Sequence, residues 1–105
     1  MLGPVRLGEV ASGTSYTSGN DVFGTALTSP RWDALRLCLC VSAAAVPYVR
    51  VNGVNMELNL GAVMTADRVY TFTLALPLGT SFNLRFSASN TIRNITVDAL
   101  SGDVL

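Results

Sequence analysis

Residues 46–60 read VPYVRVNGVNMELNL, with Asn52-Gly53 between two runs of alternating character. Both central residues of a type I′ turn need positive φ, which Asn and Gly supply most readily, so this dipeptide predicts a two-residue hairpin loop. Such a loop allows one register. Val51 then faces Val54, Val49 faces Met56 and Pro47 faces Leu58 on one side, while Arg50/Asn55 and Tyr48/Glu57 share the other. Apolar and polar residues separate without conflict, whereas a slip by one residue would mix them. The middle of the chain is thereby committed to antiparallel sheet, and everything around it must be compatible with that.

The flanks repeat the same period. In WDALRLCLCVSA, Leu35, Leu37, Leu39 and Val41 fall on one face and Ala34, Arg36, Cys38, Cys40 and Ser42 on the other. In LALPLGTSFNLRF, Pro77 suits the first central position of a type I turn and Gly79 the left-handed residue after it. This predicts a second hairpin, with Leu74 facing Phe82, Phe72 facing Leu84 and Tyr70 facing Phe86. Thr71, Thr73, Asn83 and Arg85 would point away. NITVDAL turns Ile95, Val97 and Ala99 inward and Asn94, Thr96 and Asp98 outward. Several short strands separated by turn signals, with no sustained helical period and no internal repeat, predict an all-β fold, a small antiparallel β-sandwich or jelly roll.

Residues 1–30 differ. ASGTSYTSGND is rich in Gly, Ser and Thr with few apolar anchors, so the segment reads as an extended N-terminal arm and loop, with residues 31–105 as the β-sandwich domain. At 105 residues, half of them apolar, the chain can bury one core without disulfides or metals. The longest apolar run, residues 37–46, is broken by Ser42 and is too short for a membrane helix. Neither that run nor the N-terminus MLGPVRLGEV resembles an export signal, which predicts a soluble chain with no membrane partner.

Seven Arg balance seven acidic residues, and Lys, His and Gln are absent. Zero net charge provides no field to gather nucleic acid or anionic lipid. Without His there is no ordinary general base near neutral pH, and without Lys no Schiff base or phosphate-binding lysine. Cys38 and Cys40 lie on one strand face, roughly 6.6 Å apart by strand rise, too far for a disulfide. With no third Cys and no His for zinc, they read as small reduced core residues. Asn94-Ile95-Thr96 matches a glycosylation sequon, read as accidental without an export signal. SGND at residues 18–21 is short of the ligands calcium needs and reads as a turn. Asp33, Glu57, Asp67 and Asp98 are scattered, giving no paired-carboxylate site, and Arg85 beside an inward Phe86 makes no stacking platform for nucleic acid. No catalytic residue, cofactor or metal is expected.

The segment from LRLCLCVS to NITVDAL resembles small virion proteins of tailed bacteriophages. The matching pieces are the aromatic strand at residues 70–76, the turn glycine Gly79, Asn83-Leu84-Arg85, and the closing strand at residues 95–98. The resemblance implies a capsid decoration (cement) protein or another head, tail or neck accessory protein. Such a protein would be assembled in the virion as a dimer or trimer against the major capsid protein or another virion protein, without catalytic residues. On that reading the arm carries the adhesion through Leu2, Val5, Leu7, Tyr16 and Phe23. Removing residues 1–20 should then leave a folded domain that no longer binds. The alternative is a lectin-like jelly roll contacting glycans through Trp32, Tyr16 or Tyr48.

Overall fold

The computed structural model describes residues 4–30 and 34–100. Among them the backbone forms nine strands: β1 (Val5–Val10), β2 (Thr14–Tyr16), β3 (Leu27–Thr28), β4 (Ala34–Val41), β5 (Pro47–Val51), β6 (Val54–Glu57), β7 (Tyr70–Leu74), β8 (Ser81–Phe86) and β9 (Asn90–Leu100). One 3-10 turn, Asn59–Gly61, lies between β6 and β7. The Asn52-Gly53 loop has φ of 51° and 77°, and β5 pairs with β6 in the register expected, from Val51↔Val54 to Tyr48↔Glu57.

That hairpin is the centre of a larger order. β4 pairs with β7, β3 with β8, and β1 and β2 with β9, so each successive pair encloses the one before it. The doubled chain then folds over on itself. β9 lies against β4 and β8 against β5, giving one sheet ordered β1-β9-β4-β7, with β2 also on β9, and a second ordered β3-β8-β5-β6. Both sheets are antiparallel. Leu35, Leu37, Leu39, Ile95, Val97 and Ala99 from the first and Val49, Phe82, Leu84 and Phe86 from the second meet in one core. The inward sets expected for β4 and β9 are all buried, and the outward Cys40 and Asp98 are buried as well.

The expected second hairpin is not formed. A turn does form there, but one position later than expected: the Thr80 N–H donates to the Pro77 carbonyl at 3.1 Å, so Leu78 and Gly79 are the central residues, Pro77 precedes them, and Gly79 takes the left-handed φ of 81°. Its two arms, however, go to different sheets, β7 to β4 and β8 to β5 and β3. Ser29 explains the divergence. Its N–H donates to the Thr80 carbonyl and its own carbonyl accepts from the Gly79 N–H, while its hydroxyl donates to the Leu76 carbonyl. A residue from outside the turn thus takes backbone groups that a hairpin would use between its own strands. The side-chain parity survives: Tyr70, Phe72, Leu74, Phe82, Leu84 and Phe86 all contribute to the core, three from each sheet.

Residues 4–30 are likewise no free arm. Besides the pairing of β1, β2 and β3, the Val22 N–H donates to the Leu84 carbonyl. The Asn83 amide accepts from the Phe23 N–H at 2.9 Å and donates to the Phe23 carbonyl at 2.8 Å, imitating one rung of a sheet. The edges of β8 and β9 would otherwise carry unpaired backbone groups, and this segment satisfies them. A boundary between residues 30 and 31 separates no module among the described residues.

Candidate functional site

Of the five residues expected to anchor an arm, Leu2 lies outside the described residues. Tyr16 is a core residue at 5% exposure. Its ring meets Phe86 edge-on with centroids 5.4 Å apart, and its hydroxyl donates to the Asn20 carbonyl and accepts from the Phe86 N–H. Leu7 and Phe23 pack against the core, and Phe23 closes with Leu27 over Gly8, where a Cβ would lie 3.0 Å from the Phe23 ring. Val5 alone of the described four is exposed. Leu7 and Phe23 thus help close one edge of the sandwich, Tyr16 belongs to the core, and the described four are not brought together as a docking surface.

The other large exposed apolar residues lie elsewhere: Leu78 stands alone in the turn before β8, and Val54, Met56, Leu60, Val63 and Val69 fall together in sequence between the start of β6 and the start of β7. By register Val54 and Met56 stand on the inner face beside Val51 and Val49. Val49 is buried and Val51 packs against the core, yet Val54 is 62% and Met56 39% exposed. β6 is the terminal strand of its sheet, and the opposite sheet does not cover it. The expectation that this face is wholly core therefore needs correction at its outer strand.

Beyond β6 the chain enters three successive left-handed residues, Asn59 (φ 53°), Leu60 (φ 55°) and Gly61 (φ 76°). Asn and Gly tolerate that region, whereas for Leu it costs on the order of 1–2 kcal/mol. The turn is held by the Asn59 side-chain amide, which donates to the Ala62 and Val63 carbonyls. The Glu57 carboxylate occupies the space that a Cβ at Gly61 would need. Leu60 is consequently presented to solvent with no burial at all. Its signal in the sequence was the Asn59-Leu60-Gly61 triplet, an apolar residue between two left-handed formers.

Polar chemistry, by contrast, is largely committed to the fold. Asp98, outward on β9, is buried between Arg6 and Arg36, and its hydrogen bond holds the Arg6 guanidinium above its ordinary pKa. Arg85 pairs with Asp21 and Arg93 with Asp67, while Arg68 lies over the Tyr70 ring. The Tyr70 hydroxyl accepts from the Thr65 N–H, and hydrogen bonding to Thr65, its side chain first and its backbone second, lowers the phenol's pKa from its usual value. Cys38 and Cys40 are free thiols; burial pushes the Cys40 thiol up, and Cys38 accepts from the Asn94 amide. No cluster of three or more His, Cys, Asp or Glu placed to hold a metal occurs among the described residues.

One depression of about 250 Å³ is lined by residues including Asp21, Arg50, Asn52 and Asn83. It is small for a ligand site, and the Asn83 amide is engaged with Phe23 on both its atoms. Of the three aromatics proposed for glycan stacking, Tyr16 is buried, Tyr48 is half-buried and Trp32 lies outside the described residues. Among the described residues, no helix is long and apolar enough to cross a membrane. No protein-family model, curated protein or solved structure matches the chain.

Proposed function

We propose that the chain is a structural virion protein of a tailed bacteriophage, a capsid decoration (cement) protein that binds the shell through homo-oligomeric and capsid contacts. The observation that carries this reading is the wiring of the strands. Nested pairs β5/β6, β4/β7, β3/β8 and β1/β9, folded into sheets β1-β9-β4-β7 and β3-β8-β5-β6, are the order expected of a jelly roll, an architecture shared by viral capsid and lectin domains. Between those two uses, the exposed side chains favour the first. Among the described residues, apolar side chains stand exposed around β6 while no exposed aromatic lies beside free polar groups, and glycan sites need the latter. Fold alone does not fix function, so the resemblance of residues 35–100 to small phage virion proteins supplies the rest.

The adhesive part is accordingly the β6 region and not the first twenty residues. Attachment relies on shape and apolar contact, since the chain has no net charge, and binding should change little between low and moderate salt. The test is the protein content of purified particles. Stoichiometric copies relative to the major capsid protein are expected. Absence from particles, together with glycan binding by a monomer, would replace this reading with the lectin-like one.

A further inference from the structure

The four lateral edges of the two sheets are not equally guarded. β1 carries a register shift between Arg6 and Gly8 together with the charges of Arg6 and Glu9, and β3 is two residues long. β7 lays Tyr70, Phe72 and Leu74 against the core. β6 has no bulge and no Pro, two of the usual devices against edge-to-edge pairing; its one charge is Glu57, and its inward side chains, unlike those of β7, are exposed.

We infer that β6 pairs antiparallel with β6 of a second copy of this chain, about a two-fold axis at Met56, joining two four-stranded sheets into one of eight. The inference rests on the reading of the chain as a self-assembling structural protein and names the surface and partner that assembly uses.

The register follows from hydrogen bonding and charge. In a two-residue hairpin Val54 and Met56 turn their N–H and C=O groups toward β5, and Leu58 continues the ladder by donating to the Pro47 carbonyl. The backbone groups of Asn55 and Glu57 therefore face the open edge. A two-fold axis at Met56 sets Asn55 opposite Glu57 of the second copy and satisfies all of these groups in both. An axis at Glu57 would oppose two carboxylates. An axis at Asn55 would place Glu57 against the Gly53 loop.

Side chains agree with the same choice. On the outer face Arg50 donates to the Asn55 amide oxygen at 2.8 Å, leaving the amide N–H₂ to meet Glu57 of the second copy. Arg50 and Glu57 belong to no ion pair among the described residues, so each dimer would gain two rows running from cation through amide to carboxylate. On the inner face Met56 meets its own copy and Val54 meets Leu58, covering the apolar residues left bare in one chain. Leu60, two residues farther along, is carried toward the Asn52-Gly53 loop of the second copy.

Sedimentation of the full chain over a range of concentrations is expected to show a dimer or an even multiple of one. Met56→Arg opposes two cations at the axis and should weaken association by more than about tenfold, with an unchanged circular dichroism spectrum because the side chain is exposed. Glu57→Arg should weaken it too, and Arg50→Glu/Glu57→Arg should restore it, a rescue that general destabilisation would not produce. Hydrogen exchange provides a second readout: the Asn55 and Glu57 amides should gain protection as concentration rises. A strictly monomeric chain, an oligomer that Met56→Arg leaves intact, or amides that stay unprotected in the oligomer overturns the inference. A dimer of this kind absent from particles overturns the virion reading alone. Particle incorporation through an oligomer indifferent to Met56→Arg overturns the edge pairing alone.

Discussion

At one edge of the sandwich Phe23 and Leu27 close over Gly8 and Leu7 packs against the core; at the other, Val54, Met56 and Leu60 stand in water. Both edges are built from short strands next to glycine-containing turns, and both carry several large apolar side chains. The difference is what lies across from them. Residues 4–30 bring β1 and β3 to the first edge, one on each sheet, so inward side chains there find an opposing layer. At β6 the inward side chains find none. Apolar residues in an irregular, polar-rich segment thus turn out to be core, and apolar residues in the most regular hairpin of the chain turn out to be surface.

The contrast breaks most sharply at Tyr16. Tyr16→Ala removes a buried ring and the hydrogen bonds of its hydroxyl and should lower stability by about 3–5 kcal/mol, and a chain lacking residues 1–20 should fail to fold, because β9 loses β1 and β2 and Phe86 loses Tyr16. Thermal or denaturant unfolding measures both; a cooperative transition near that of the intact protein would restore the idea of a dispensable arm. Gly8→Val comes next. Its side chain would overlap Phe23 and Leu27, costing about 1–3 kcal/mol by overpacking, and a neutral result would mean that this edge is looser than its burial suggests.

Effects at the open edge should be smaller. Gly53→Val forces a β-branched residue to φ 77° and should cost about 1–2 kcal/mol, read from the denaturant midpoint; no change would refute the turn type. Leu60→Asn should have the opposite sign, stabilising an isolated chain by up to about 1 kcal/mol, since Asn accepts the left-handed conformation and no packing is lost. Destabilisation of a dilute monomer would show that Leu60 is packed after all.

Much of this fold was legible because period-two patterning fixes faces. The inward sets of β4 and β9 and the whole β5/β6 register follow from it. Patterning says nothing of which strand lies alongside or what lies across, and both larger misreadings come from there. The parity of Tyr70, Phe72 and Leu74 against Phe82, Leu84 and Phe86 fits a hairpin and a crossing between sheets equally well, and the residue that decides is the distant Ser29. β1 was hidden because the register shift between Arg6 and Gly8 breaks the alternation of VRLGEV; β2 and β3, at three and two residues, are too short to show a period. The Asp98 ion pairs join residues 92 and 62 positions apart, beyond any local rule. Val54 and Met56 were placed on the correct face, but exposure at a terminal strand depends on the opposing sheet and not on their own order.

The nesting of strand pairs around Asn52-Gly53 also sets an order in time. The two-residue loop makes β5 with β6 the most local of the strand pairings, and such a hairpin closes on the scale of microseconds. Once β5 and β6 have met, β4 and β7 are brought near each other across a much shorter effective span than their separation along the backbone, and β3 with β8 and then β1 with β9 follow in turn. Folding by such outward zippering makes the pairing of Val5 with Ala99 the last step, and it leaves a chain with mostly distant contacts dependent on one early nucleus. A substitution at Gly53 should therefore slow refolding more than it speeds unfolding, whereas Gly8→Val should act mainly on the unfolding rate.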